Sequence, residues 1–313
     1  MSSYLSCLLF MIFYYGICIY ALVCDKGFIY LKNICKDISF VKKISIFLII
    51  IISIIFSIYW IKQNQFIYYW DYSNYWNLAM YRMNYMFEHS LTEIFESLYT
   101  SINYDEYNVF LPTIIALPLK VFGYTFSKYV FINNIFFLIP AVIIQAFSAL
   151  KLIKNSNLKK DTIYMLVLAL ALFFPANYYA MYKGYIDIAI LLPISIAMYL
   201  FFDYDFTRIS ISRNIAVSGM LLLTWISRRY AIYFIIGYVV GLLIKAIFTF
   251  IKEKSSLKNI IINFFLIGGI SLAILLTLFR TFFLNALFTN YGEMYSAYEV
   301  SMLHNYLEIN IHL

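Results

Sequence analysis

Few residues in this chain have side chains suited to chemistry, and they fall in a handful of places. Asp71 sits in "YYWDYSNYW" (68–76), a carboxylate among tyrosines and tryptophans just after an apolar run. Held there, it would serve as a general base that takes the proton of a hydroxyl nucleophile. The same pattern also describes a solvated carboxylate in the Tyr/Trp belt of a membrane interface. Asp105 and Glu106 form an acidic pair later in the same polar stretch. Asp187 closes "GYID" and reads either as a carboxylate favoured at a helix N-terminus or as a contact for a polar substrate. Arg228 and Arg229, in "SRRY", lie between two apolar runs. Arginine at the centre of a membrane helix costs roughly 2.5–3.5 kcal/mol. Its planar fork suits phosphate, so the pair reads as an anion site near the head groups or as two residues snorkelling to lipid. Arg280 is a weaker version of the same signal.

Other chemistry finds little support. His89, His304 and His312 are scattered, and there is no GxSxG, HExxH or phosphate-loop motif. Cys7, Cys18, Cys24 and Cys35 crowd near the N-terminus without CxxC spacing, which suits neither a disulfide framework nor zinc.

The elements that must hold these residues are membrane spans. The chain is 64% hydrophobic and 12% charged with mean hydropathy +0.81, far from the balance of a soluble domain. Its 31 tyrosines and 30 phenylalanines exceed what interfacial belts need, so no single aromatic counts as a signal. Apolar runs suggest eight spans at about 4–24, 44–61, 129–150, 162–180, 186–202, 214–227, 230–250 and 259–283. No Lys or Arg precedes the first, so it lacks the basic start of a cleaved signal peptide.

Lysines set the sidedness. Lys26, Lys32, Lys36, Lys42 and Lys43 put the first loop in the cytoplasm, and Lys151, Lys154, Lys159 and Lys160 do the same later. The net charge of +7 is therefore a topology signal and not one for nucleic acid. Residues 62–128 become the first large extracytoplasmic loop, and both termini face out. Within that loop "VFLPTIIALPLKVFG" (109–123) is short and broken by Pro112 and Pro118, so it reads as an interfacial or re-entrant helix. Ser90 and Glu93 form a capping box, and Leu91, Ile94, Phe95 and Leu98 recur at helical spacing, which predicts a second short helix on the membrane surface. Residues 214–250 as one helix would run roughly 55 Å, so the chain must break at "SRRY", on the outer face. The expected fold is all-α: one polytopic transmembrane domain over 1–313, about eight helices, and a pair of interfacial helices in the first loop. No repeat of fixed period and no inverted pair of broken helices is visible.

In order and sidedness, these parts resemble the GT-C superfamily of polytopic glycosyltransferases. That group includes protein O-mannosyltransferases, the aminoarabinose transferase of lipid A, and bacterial surface-polysaccharide transferases. The matching pieces are "YYWDYSNYW", "YNVFLPTIIALPLKVFG", "YMLVLALALFFPANYYAMYKGYIDIAILLPISIAMYLFF" and "SRRYAIYF", within residues 44–250. The resemblance implies transfer of a sugar, with inversion, from a polyprenyl-phosphate donor to a glycan, lipid or protein acceptor. The work would be done on the extracytoplasmic face of a bacterial inner or plasma membrane. It implies Asp71 as catalytic base and Arg228 and Arg229 on the donor phosphate. Asp187 would bind substrate, with Trp70, Tyr72 and Trp76 stacking on sugar rings. Many relatives carry an Asp-Glu pair where this chain has Asp71-Tyr72, which brings Asp105 and Glu106 into consideration. No cofactor is implied with certainty, and a divalent metal is left open. The tail 284–313 is too short for a domain with its own core, so the expectation is a minimal or truncated version. The alternatives are a flippase or transporter, which would need polar groups along a mid-membrane path, and a polysaccharide polymerase.

Overall fold

The computed structural model describes residues 3–24, 27–63, 71–105, 107–153, 159–253 and 257–288, and among them every regular element is helical. The chain opens with α1 (Ser3–Val23), a short α2 (Gly27–Asp37) and the long α3 (Phe40–Gln63). Three helices follow in the polar stretch: α4 (Asp71–Glu88), α5 (Leu91–Tyr104) and α6 (Phe110–Phe122). Next comes a continuous rod made of α7 (Phe126–Asn133), a π-helical turn (Asn134–Leu138) and α8 (Ile139–Leu152). After α9 (Lys160–Leu172) and α10 (Pro175–Tyr182), a 3-10 turn (Ile186–Ile190) leads into α11 (Leu191–Phe202). Then come α12 (Ile211–Ser227), a 3-10 turn (Arg229–Ala231), α13 (Ile232–Glu253), α14 (Leu257–Leu278) and α15 (Arg280–Phe288).

Among the described residues, five helices are long and apolar enough to cross a membrane: Tyr4–Val23, Phe40–Gln63, Phe126–Leu152, Arg229–Lys252 and Leu257–Leu278. Their exposed sides are greasy. Phe40, Phe47 and Ile55 on α3, Tyr233, Phe248 and Ile251 on α13, and Phe265 on α14 are all at least 60% exposed. Apolar surface of this extent is costly in water and is what a lipid-facing helix presents. The chain is a membrane protein with transmembrane helices.

Inside, α8 lies between α9 and α11, α12 lies between α11 and α14, and α1 runs along α6, α11 and α12. The expected run 162–180 is not one rod. It stops at Leu172 and restarts at Pro175, because proline supplies no N–H to the preceding turn and pushes Phe174 out of helical geometry. The run expected over 259–283 breaks likewise between Leu278 and Arg280. Over 109–123, α6 is enclosed by protein: Leu111, Ile114, Ile115, Ala116 and Leu119 are at most 2% exposed, packed against α1 and α4. On α5 the capping box forms as expected, and Ile94 and Leu98 face protein while Phe95 stays exposed.

Arg82 fastens these three helices together. It is fully buried on α4 and donates to Thr113 Oγ1 (2.8 Å) on α6 and to Ser97 Oγ (3.0 Å) and Ile94 O (3.0 Å) on α5. Burial lowers its pKa to about 10, still high enough to keep the charge at neutral pH.

The opposite end of the bundle has its own fastening. The last four carbonyls of a helix lack intrahelical partners, and on α11 cations from three other helices take them. Lys151 donates to Tyr199 O (2.9 Å), Arg213 to Leu200 O (2.9 Å), and Lys245 to Phe201 O (2.8 Å) and Phe202 O (3.0 Å). Asp203 pairs with both Lys151 and Arg213. At the same end Lys42 of α3 meets Asp161 of α9 at 2.6 Å.

Candidate functional site

The site is built where α12 ends. Thr224 and Ser227 return their hydroxyls to Met220 O (2.7 Å) and Leu223 O (2.5 Å), a local bonding pattern that weakens helix continuation. Arg228 then turns extended (φ −154, ψ 127), and a 3-10 turn starts the next helix. Asn108 reaches in from the polar stretch and donates to Ile226 O at 2.8 Å, occupying one of the carbonyls that the break leaves bare. Both arginines thus sit at the N-terminal end of α13, where the macrodipole is positive. Neither is solvated: Arg228 is 4% exposed and Arg229 5%.

Asp187 comes to them from the turn between α10 and α11. Gly184 adopts φ 95 there, and a Cβ would meet the Phe126 ring at 2.9 Å, so this position accepts only glycine without rearrangement. The turn is gripped from below. Tyr129 donates to Gly184 O (3.2 Å), Tyr182 meets Ser57 Oγ of α3 (2.5 Å), and Asn134 donates to that same Ser57 (2.5 Å). The π-helical turn that starts at Asn134 changes the phase of the rod at this level.

The Asp187 carboxylate forms an ion pair with the Arg228 guanidinium. Tyr75 of α4 donates to Asp187 Oδ2 at 3.1 Å, and the Tyr230 hydroxyl lies beside the same carboxylate. The guanidinium is 4.6 Å from the centre of the Tyr75 ring and 5.7 Å from that of Tyr107, a cation–π pair on each. Burial pushes the Tyr75 hydroxyl far above its ordinary range, outweighing the pull of Arg228, so it stays a donor. Burial alone would lower the Arg228 pKa; the charge of Asp187 and the surrounding tyrosines reverse that and raise it.

Arg229 is different. Its guanidinium rests 5.6 Å from the Phe282 ring centre, and neither Nε nor Nη2 has a hydrogen-bond partner among the described residues. A buried cation with bare donors is a costly arrangement, and a phosphate or carboxylate would relieve it.

Asp187 and Arg228 are therefore brought together, with Arg229 next in the chain. Asp71 heads α4 one helical turn before Tyr75, on the same face, though its side chain lies outside the described residues, as do the Tyr72 side chain, Trp70 and Glu106. Trp76 spends its indole N–H on Tyr124 O (3.0 Å) and meets the Phe126 ring edge-on, which fixes α4 to the turn before α7. Asp105 is the exposed C-cap residue of α5, and Arg280 heads α15, also exposed. Sequence reasoning missed Tyr75, Tyr107, Tyr230 and Asn108. Among the described residues no three His, Cys, Asp or Glu side chains converge as a metal site. The chain matches no protein-family model, no curated protein and no solved structure.

Proposed function

We propose that the protein is a multi-pass membrane glycosyltransferase. It takes a sugar from a polyprenyl-phosphate donor and passes it to a glycan, lipid or protein acceptor on the extracytoplasmic face. The observation that carries this reading is Arg229: a buried guanidinium whose Nε and Nη2 have no hydrogen-bond partner among the described residues, at a helix N-terminus and next to Arg228, which is paired with Asp187. Eight crossings follow if the five long helices are joined by Ile186–Phe202, Ile211–Ser227 and the interrupted α9–α10 pair. The lysine-rich connections then face the cytoplasm and the arginine pair faces out.

In this reading Asp71 takes the proton of the acceptor hydroxyl as its oxygen attacks the anomeric carbon. The bond from that carbon to the phosphate oxygen breaks, and the electron pair leaves with polyprenyl phosphate. No acid is needed, since the leaving phosphate is stable as an anion, and Arg228 and Arg229 stabilise the charge that grows on it. A cavity of about 270 Å³ between α11 and α13, lined by Met198, Phe201, Phe234, Gly237 and Tyr238, offers apolar room for part of an isoprenoid chain.

The test is sugar transfer and thermal stabilisation in detergent with a panel of polyprenyl-phosphate sugars. Stabilisation that survives Asp71→Asn, with transfer lost, and that disappears in Arg228→Ala/Arg229→Ala is the expected result. A wild-type protein stabilised by none of them sinks the reading. The second reading, a transporter, draws on Ser57, Asn133, Asn134 and Tyr182, which are polar, buried and inside or beside the rods. Asn133 is fully buried with neither amide atom in a well-formed hydrogen bond. Solute flux into liposomes distinguishes it.

A further inference from the structure

The two arginines are not equivalent, and the difference says how the site works. Arg228 has a counter-charge in Asp187 and rests against the Tyr75 and Tyr107 rings, whereas Arg229 has Phe282, with Nε and Nη2 bare among the described residues. Their Cα atoms are about 3.8 Å apart, and both side chains are long enough to reach one phosphate group. Asp187 is the less enclosed member of its pair: its side chain is 25% exposed against 5% for Arg228. It also accepts a hydrogen bond from the Tyr75 hydroxyl on Oδ2, the oxygen that does not face the Arg228 guanidinium. A carboxylate in that position can lose the guanidinium without being stranded.

We propose that Asp187 is a built-in competitor for the anion site. A phosphate ester that docks on Arg229 takes Arg228 away from Asp187, and the freed carboxylate, steadied by Tyr75, then accepts a hydrogen bond from a hydroxyl of the bound substrate. The proposal rests on the phosphate-ester reading above and adds an order of events: anion first, hydroxyl second. It also explains why a carboxylate stands inside an anion site at all. While Arg228 is paired, the site discriminates against weak anions, and only a ligand able to engage both arginines displaces the pair.

The exchange makes an unusual forecast, because removing a substrate-contacting carboxylate ordinarily weakens binding. Asp187→Asn is expected to bind farnesyl phosphate more tightly than wild type, on the order of fivefold, while Asp187→Glu, which keeps the charge, binds like wild type. Farnesol tests for a contribution of the chain alone, and inorganic phosphate for the phosphate group alone. A site for lipid-linked phosphate responds to farnesyl phosphate well below the inorganic phosphate concentration it needs; equal responses identify the source as free phosphate and leave the exchange standing.

A second measurement needs no variant. Water-soluble carbodiimide labelling of Asp187 in the wild-type protein, mapped by mass spectrometry, is expected to rise several-fold when farnesyl phosphate is added. Wild-type binding with no gain in Asp187→Asn and no rise in labelling overturns the exchange while leaving the transferase reading intact. Absence of any binding by the wild type removes both.

Discussion

Asn103 of α5 accepts a hydrogen bond from the backbone N–H of Phe282 at 3.2 Å, joining residues 179 positions apart. Its amide also donates to Tyr99 O (3.1 Å) and approaches Leu278 O (3.5 Å), so it bridges the break between α14 and α15. Phe282 in turn lies against Trp225 and Arg229. The polar stretch between α3 and α7 thereby holds in place the helix whose Phe282 ring covers the Arg229 guanidinium.

Replacing Asn103 with leucine should loosen that shelter. The Phe282 N–H loses its acceptor in a buried place, a cost of about 1–3 kcal/mol. Hydrogen–deuterium exchange across 279–285 should speed up, and anion-induced stabilisation should fall. Unchanged exchange in that segment would mean that α15 is held by its ring contacts alone.

Gly184→Ala tests the turn that presents Asp187. The new Cβ forces both a strained backbone, at about 1–3 kcal/mol, and displacement of the Phe126 ring, which lies 2.9 Å away. Lower thermal stability together with reduced transfer is expected. A stable variant with full transfer would show that the turn's shape is not needed to place the carboxylate.

Lys245→Met removes the cation that α13 lends to the end of α11. Hydrogen bonds to charged groups are worth about 1.5–3 kcal/mol, and Lys245 acts beside the tie that Tyr238 makes to Ala197 O (3.0 Å). Cysteines introduced along its α11-facing side should become more reactive to thiol reagents in this variant, and most of all near Phe234 and Tyr238, where the apolar cavity lies.

The capping box predicts a pH effect. Hydrogen bonds from Ser90 hold the Glu93 carboxyl below its ordinary pKa. Because the folded value is the lower one, its contribution is present above the unfolded pKa and is lost as pH falls through the folded one. Amide exchange in residues 91–95 should therefore accelerate on acidification, and Glu93→Gln should abolish that dependence.

Features set by short-range chemistry were legible in the sequence. Ser90 and Glu93 announced a helix start, and the "SRRY" break followed from length alone. What was lost had a common cause: side chains whose partners arrive from far along the chain. Tyr75 and Tyr107 were indistinguishable from the other tyrosines until the fold set them edge to face beside Arg228. Arg82 falls within the stretch 62–128 expected as the first outer loop, yet Tyr75, Ala79, Arg82, Met83 and Met86 share one helical face, and all five are buried. That stripe was available to be read. The burial of α6 was not, since apolar spacing reports that a face is hidden without reporting whether protein or lipid hides it.

The cations at the end of α11 bear on how such a chain is assembled. Lysine and arginine near a helix end fix which way a segment enters the bilayer, and here Lys151 at the end of α8 and Arg213 at the start of α12 also close bare carbonyls of a neighbour, as does Lys245 from within α13. If α13 threaded backwards, Lys245 would be carried to the wrong side, and Phe201 and Phe202 would lose the only ammonium group bonded to their carbonyls among the described residues. Orientation and docking of α13 therefore share a side chain, and a helix inserted upside down cannot bring that ammonium to the end of α11.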